Sequence, residues 1–132
     1  MAKIDPAQCL ADLLKSDSPS AETIAWLREG FARHLDGDSF AACFGPSLKD
    51  AYRRHQWRTY LDNAIEALDI PGVSTRSIAL ELSKEFDRQR RTYRRPIEKM
   101  ATQIRAALDV YPAASTTTDA LWHEVRRYRN SK

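Results

Sequence analysis

The chain of 132 residues is 42% hydrophobic and 30% charged, a balance that is typical of one soluble globular domain (residues 1–132) and excludes an intrinsically disordered tail. No run approaches the ~18 apolar residues of a membrane span and no signal peptide is evident, so we expect a cytoplasmic protein with reduced cysteines and no membrane partner. The formal net charge of +3 conceals an asymmetry, because residues 1–50 hold five bases and eight acids (−3) whereas residues 51–132 hold 16 bases and ten acids (+6).

The first third of the chain begins with the signals of two helices, and the alternation typical of strands is absent. Asp5 before Pro6 predicts a helix that ends at about Lys15. Gly37 is expected to close a second helix. The apolar stripe of that second helix, with spacings of three and four residues, is formed by Ile24, Leu27, Phe31 and Leu35.

A short turn and a long helix are predicted next. Asp38 or Ser39 is expected to cap one turn that continues through Cys43, and Gly45-Pro46 ends it. The long helix is predicted over residues 47–68. Its inner stripe is expected to be formed by Trp57, Leu61, Ala64, Ile65 and Leu68.

Pro96 separates two further predicted helices. Ser74 caps the first of them, and its apolar face is formed by Ile78, Leu82, Phe86 and Tyr93. Because a proline disfavours helical geometry at the residue before it, we expect the chain to break or bend sharply at Arg95. The apolar stripe after the break consists of Ile97, Met100, Ala101, Ile104, Leu108 and Tyr111.

Residues 112–118 are predicted to form a linker before a C-terminal helix. The inward residues of that helix are expected to be Leu121, Trp122 and Val125. Its basic end is expected to fray and carries Arg126, Arg127 and Arg129. The whole pattern predicts an all-α fold, a single compact bundle of six or seven helices. Eight residues from its stripes are expected to be buried together: Leu27, Phe31, Leu61, Ile65, Leu82, Phe86, Ile104 and Leu108.

The segment 88–95 is the densest basic feature, with five arginines in eight residues and no acid. Because no carboxylate lies within it for i,i+4 pairing, its cations are expected to repel one another unless a partner compensates them. Three interpretations remain open: a solvated helix face, a surface for nucleic-acid phosphates, and a surface for an acidic protein. The candidate residues of this tract are Arg88, Arg90, Arg91, Arg94 and Arg95.

A second basic group, residues 52–58, interleaves aromatic and cationic side chains. This composition is typical of surfaces that bind nucleic acid by stacking and charge. The alternative is that Tyr52 and Trp57 belong to the core and that arginine stems pack over them. The candidate binding residues of this group are Arg53, Arg54 and Arg58.

Catalytic and metal-binding motifs are lacking. None of His34, His55 and His123 lies at i,i+3 or i,i+4 from another histidine or from a cysteine. No glycine-rich phosphate loop and no nucleophile elbow occurs in the sequence. The acids Glu81 and Glu85 share a helix face and are expected to face solvent. We therefore expect no enzymatic activity, no metal and no cofactor.

Residues 72–79 (Gly-Val-Ser-Thr-Arg-Ser-Ile-Ala) resemble the turn and the start of the recognition helix in helix-turn-helix repressors. The sequence departs from that family upstream of the segment and at Glu81, where the family has a buried aliphatic residue. The resemblance implies that Thr75, Arg76 and Ser77 would face the major groove of DNA.

A wider stretch of the chain, from residue 26 to residue 125, resembles uncharacterised small helical proteins of prophage and mobile-element regions. The likeness is carried by Ala-Trp-Leu-Arg-Glu-Gly-Phe-Ala-Arg at 25–33, by the arginine-rich segment 53–58, by Ile-Ala-Leu-Glu-Leu-Ser-Lys-Glu-Phe at 78–86 and by Leu121-Trp122. It implies a mobile-element context and no particular activity.

Together these features predict a non-enzymatic binding protein. The leading hypothesis is a nucleic-acid-binding accessory or regulatory protein that contacts DNA or RNA through its arginine-rich helix faces. The alternative is a protein–protein interaction module, for example a phage-encoded inhibitor that docks its basic face on an acidic partner surface. Salt dependence separates the two, because binding to phosphates weakens steeply as salt rises.

Overall fold

The computed structural model describes residues 5–45, 47–92, 96 and 98–131. Within these residues the secondary structure consists of seven α-helices and no strand. The helices are α1 (Pro6–Lys15), α2 (Ala21–Leu35), α3 (Phe40–Phe44), α4 (Leu48–Leu68), α5 (Thr75–Arg91), α6 (Lys99–Val110) and α7 (Thr118–Asn130). The predicted all-α fold is confirmed, and so is the predicted number of helices in this part of the chain.

Short polar side chains define five of the helix starts. Asp5, Ser20, Ser39, Ser74 and Thr117 each accept a hydrogen bond from a backbone amide of the first turn, at 3.0–3.2 Å. Such caps satisfy amides that have no partner inside the helix. The boundaries of these helices therefore follow from local sequence, which is why the starts of α1, α3 and α5 agree with the predicted ones.

The helical structure is interrupted between α5 and α6, as the sequence predicts. α5 ends at Arg91 and α6 begins at Lys99, so the stripes of Ile78 and Ile104 belong to separate helices. The start of α6 lies three residues beyond Pro96, with Glu98 in the cap position. Tyr93, Arg94, Arg95 and Ile97, which the sequence analysis assigned to the two stripes or to the basic tract, lie outside the described residues.

The chain forms two compact units, which divide between His55 and Gln56 inside α4. Each unit has its own apolar cluster. The organisation of residues 1–132 as one domain stays a prediction.

The first unit is built around the ring of Phe44. Phe44 meets Trp26 edge to face, with ring centroids 5.2 Å apart, and Cys9 and Cys43 complete the buried cluster. The ring lies directly against α2 at Gly30, where a Cβ atom would collide with it. A glycine in this helix thus allows α2 and α3 to approach closely.

The predicted stripe of α2 is not the face that this unit buries. Thr23, Trp26 and Gly30 are the buried residues of the helix, whereas Phe31 is 51% exposed and Leu35 is 86% exposed. The prediction that Leu27 and Phe31 join the main core is wrong, since Leu27 packs on the small cluster of the first unit. Two neighbouring faces of α2 have residues at spacings of three and four. The buried face holds Thr23 and Gly30 beside Trp26, so its sequence does not look apolar, and the pattern of large apolar residues predicts the other face.

The second unit has the larger core, and α5 packs there against both α6 and α7. Six of the eight residues that were expected to be buried together lie in this one cluster: Leu61, Ile65, Leu82, Phe86, Ile104 and Leu108. The connection between α6 and α7 is also packed, because Thr116 is buried and its carbonyl accepts a hydrogen bond of 2.8 Å from Ser83 Oγ.

Candidate functional site

Three of the predicted binding residues, Arg88, Arg90 and Arg91, occupy the last turn of α5. Cations are favourable there because the last carbonyls of a helix carry partial negative charge. Arg88 pairs with Glu85, and Arg90 lies 3.5 Å from Asp87 Oδ1. The expectation of five mutually repelling cations was therefore wrong for these two, since each finds an acid three residues upstream of it.

Glu85 is buried, and the prediction that it faces solvent is wrong. Its side chain is 5% exposed and accepts hydrogen bonds from Arg88 and, at 3.0 Å, from Gln89 Nε2. Gln89 is also buried, and its backbone carbonyl accepts a hydrogen bond of 3.1 Å from Arg105 on α6. A buried carboxylate requires such partners. Arg88 consequently belongs to the internal structure of α5 as much as to its surface.

The other arginines of the tract differ in their surroundings. The Arg90 guanidinium lies 6.0 Å from the ring centroid of Phe86, and its side chain is 38% exposed, so it covers the edge of the core. Arg91 is exposed and forms no ion pair with any described residue. Arg94 and Arg95 lie outside the described residues. Among the described arginines of the tract, Arg91 is the one that no described carboxylate neutralises.

The predicted basic group on α4 is divided between the two units. Arg53 and Arg54 precede the division, and Arg58 follows it. Arg54 pairs with Asp50 one turn away at 3.1 Å, whereas Arg58 lies 3.9 Å from Glu124 on α7. Arg53 is exposed and forms no ion pair within the described part of the chain.

Trp57 is a core residue of the second unit. It is buried, packs in the main apolar cluster, and its Nε1 has no hydrogen-bond partner among the described residues. The alternative interpretation of residues 52–58, in which the aromatic side chain is internal, is therefore confirmed for Trp57. A ring in this position is not available for stacking on a base.

The end of α7 is tied to the core and is not frayed. Arg127 donates hydrogen bonds to Asp62 Oδ1 at 2.7 Å and to Glu124 Oε2 at 2.9 Å. Burial opposes the charge of Arg127, but the hydrogen bonds to the two carboxylates outweigh it and raise the pKa of this guanidinium above its usual value. This arginine thus fastens α7 to α4.

Arg129 has three hydrogen-bond partners among the described residues of the second unit. Its guanidinium donates to Asp69 Oδ1 at 2.9 Å, to the Val73 carbonyl at 2.7 Å and to Thr75 Oγ1 at 3.0 Å. One planar group therefore holds the loop between α4 and α5 against the last turn of α7. Local sequence patterns do not indicate this role, because the partners are more than 50 residues away.

The segment that resembles a recognition helix is engaged in internal contacts. Thr75 accepts the hydrogen bond from Arg129, and Ser77 shares a hydrogen bond of 2.9 Å with the cap Ser74. Arg76 pairs with Asp119 on α7 at 2.9 Å. Groove reading by Thr75, Arg76 and Ser77 stays a prediction, and these contacts would first have to be given up.

One exposed cation on α7 lies beside aromatic rings. The Arg126 guanidinium is 5.3 Å from the ring centroid of Trp122, and that ring meets His123 edge to face at 5.0 Å. Arg126 is exposed and forms no ion pair with the described residues. The i,i+4 spacing of Trp122 and Arg126 is the sequence signal for this pair, whereas the apolar pattern of α7 predicts only an inward position for Trp122.

Within the described ranges, no three or more His, Cys, Asp or Glu side chains form a group that could hold a metal ion. No helix among the same residues has the length and apolar character to cross a bilayer. No protein-family model, no curated protein and no solved structure matches the chain.

Proposed function

We propose that this chain is a non-enzymatic nucleic-acid-binding protein and that its second unit provides the contact surface. The observation that carries the proposal is that the unit with the excess of positive charge exposes guanidinium groups, Arg91 on α5 and Arg126 on α7, that no carboxylate of the described residues neutralises. The other described arginines of this unit have internal acids or carbonyls as partners. A role in a mobile genetic element and a cytoplasmic location remain predictions from the sequence.

The net charge of the second unit supports a polyanionic ligand. Residues 56–132 contain 14 bases and ten acids, which is a balance of +4, whereas residues 1–55 contain seven bases and eight acids, a balance of −1. Clustered positive charge attracts phosphates over a range of about one Debye length, ~8 Å at physiological salt. The ligand is therefore expected to approach the second unit.

The two cations suit different parts of a nucleic acid. Arg91 has a free planar fork at the end of a helix and can donate to phosphate oxygens. Arg126 already lies over the Trp122 ring, so its guanidinium plane and that ring form a surface on which an unpaired base can stack. Apart from Thr75, Arg76 and Ser77, no set of base-reading side chains accompanies them among the described residues, so binding is expected to be largely independent of base sequence.

The test is a salt titration of binding to single-stranded and duplex oligonucleotides, followed by fluorescence anisotropy. We expect the logarithm of the affinity to fall linearly with the logarithm of the salt concentration. Arg91→Ala is expected to reduce the slope by about one, because one phosphate contact is lost. Arg91→Lys, which retains the charge, is expected to keep most of the slope.

Arg28→Ala is the matched control, because Arg28 is an exposed arginine without an ion pair among the described residues, but it lies in the first unit. It removes the same charge and is expected to leave the slope unchanged. Arg88 is unsuitable as a probe, since its loss also removes the partner of buried Glu85. Absence of binding at low ionic strength, or equal slopes for Arg91→Ala and Arg28→Ala, would contradict the proposal and favour an acidic protein partner.

A further inference from the structure

The helix α2 has an apolar stripe that the first unit does not bury. It consists of Ile24, Leu27, Phe31 and Leu35, which at 100° per residue lie within an arc of about 80°. Ile24 and Leu27 are half-buried, Phe31 is 51% exposed and Leu35 is 86% exposed. The stripe thus emerges from the unit toward the C-terminal end of the helix.

The exposed surface continues from α2 onto α3. Phe31 and Phe40 both pack on Phe44, with ring centroids 5.0 and 4.8 Å away, and Phe40 is also 51% exposed. His34 meets Phe40 edge to face at 6.1 Å and lies on the same side. Two helices therefore present one continuous apolar face, which we call the α2–α3 face, and contiguous exposed apolar surface marks sites of protein interaction.

A single charged side chain of α2 borders the stripe. Arg28 lies about 20° beyond Leu35 on the helical wheel, is exposed, and forms no ion pair with the residues that the structure describes. A cation at the border of an apolar face complements a partner helix that carries a carboxylate beside its apolar residues.

We propose that the α2–α3 face docks one amphipathic helix of another protein, with apolar residues at helical spacing and an acidic residue that pairs with Arg28. The stripe is about 20 Å long, because each helical residue advances ~1.5 Å, and this length accommodates three to four turns of a partner helix. The site lies in the first unit. It is a second interaction surface, and it does not depend on nucleic-acid binding by the second unit.

The probe is a synthetic helical peptide with leucine along one face at helical spacing and glutamate on both flanks. A second peptide keeps the leucines and replaces every glutamate by lysine. We expect the full-length protein to bind the acidic peptide more tightly than the basic one. Leu35→Lys is expected to weaken the binding of the acidic peptide by about tenfold or more, because it places a charge at the most exposed leucine of the apolar stripe.

The control for that variant is Leu80→Lys, which adds the same charge at an exposed leucine of the second unit. It is expected to leave peptide affinity unchanged. Arg28→Glu tests the charge argument, because it is expected to invert the preference so that the basic peptide binds more tightly. Neither the Leu35 nor the Arg28 variant is expected to alter the salt dependence of oligonucleotide binding, so the two proposals fail independently.

Three results would overturn this inference. The first is that neither peptide binds, or that both bind Leu35→Lys as they bind the wild type. The second is self-association in sedimentation velocity that Leu35→Lys abolishes, which would assign the face to a second copy of the chain. The third is a marked fall in thermal midpoint for Leu35→Lys, which would make the stripe part of the chain's own packing.

Discussion

The two units of this chain place their apolar side chains differently. In the second unit, α5 packs against α6 and α7 and the predicted stripes point into a single large cluster. In the first unit the cluster is small, two rings and two cysteines form it, and the most regular stripe of α2 remains largely at the surface. Periodicity identifies a core where several long helices share it. Where a core depends on one glycine and one ring, periodicity alone does not locate the buried face.

The polar contacts of the two units follow the same division. The second unit joins its helices through arginines that reach carboxylates far away in sequence, such as Arg127 to Asp62 and Arg129 to Asp69. The first unit joins α1 to α2 through short polar groups: the Thr23 hydroxyl and the Ser20 backbone amide both donate hydrogen bonds to Asp12. The arginine content of the second unit is therefore partly structural, and counting arginines overstates the charge that remains for a ligand.

The largest expected difference between the two units is in the loss of unfolding free energy when one leucine of each unit is replaced by alanine. Leu82 is fully buried in the second unit, so Leu82→Ala should lower the free energy of unfolding by about 2–5 kcal/mol. Leu35→Ala in the first unit should change it by less than about 0.5 kcal/mol. Urea titrations followed by circular dichroism measure both, and equal costs would mean that the stripe of α2 is buried after all.

The next largest effect is expected at Arg129. Arg129→Ala leaves Asp69 and the Val73 carbonyl without their charged donor and should cost about 2–3 kcal/mol. Arg126→Ala, one turn earlier in α7, removes only an exposed contact with Trp122 and should cost less than about 1 kcal/mol. Thermal and urea unfolding of the two variants would separate structural arginines from those that are free to bind, and a reversed order would refute that assignment.

A smaller loss of stability is expected when a methyl group is added to α2 at Gly30. Gly30→Ala should destabilise the protein by about 1–3 kcal/mol, because the new Cβ collides with the Phe44 ring. Helix propensity acts in the opposite direction by up to ~1 kcal/mol. Combining Gly30→Ala with Phe44→Leu should cost less than the sum of the two single changes, as measured by a double-mutant cycle. A net gain in stability for Gly30→Ala would show that the ring can move aside.

How much was predictable differs between the fold and the candidate site. Helix starts at Ser39, Ser74 and Asp5 were predictable because a cap acts within three residues of itself. The burial of Glu85 was not, because it depends on Arg88, Gln89 and the approach of α6. The hydrogen bonds of Arg129 to Asp69, Val73 and Thr75 were not predictable either, since residue spacing carries no information about partners more than 50 positions away. Among the candidate arginines, the sequence therefore predicted the charge but not which cations are already paired.

The smallest expected effect concerns the pH dependence of the first unit. Hydrogen bonds from the Thr23 hydroxyl, at 2.6 Å, and from the Ser20 amide, at 2.9 Å, hold the pKa of Asp12 below its ordinary value of 3.8. A carboxylate whose pKa is lowered by folding stabilises the folded state above its unfolded pKa, and this contribution disappears as the pH falls through the folded pKa. Asp12→Asn keeps an oxygen acceptor but removes the charge. The variant should therefore be less stable than the wild type near neutral pH, and the difference should vanish in acid.

Thr23→Val provides the matched test of the cause, because it removes the hydroxyl that donates to Asp12 and changes the side-chain volume little. If that hydrogen bond is the main reason for the lowered pKa of Asp12, the pH-dependent part of stability should shrink markedly in Thr23→Val. It should shrink only a little further in the double variant, by the part that the Ser20 amide contributes. Urea unfolding at a series of pH values from neutral to strongly acidic measures this. An Asp12→Asn difference that stays constant over the whole series would mean that the charge of Asp12 does not contribute to the packing of α1 on α2.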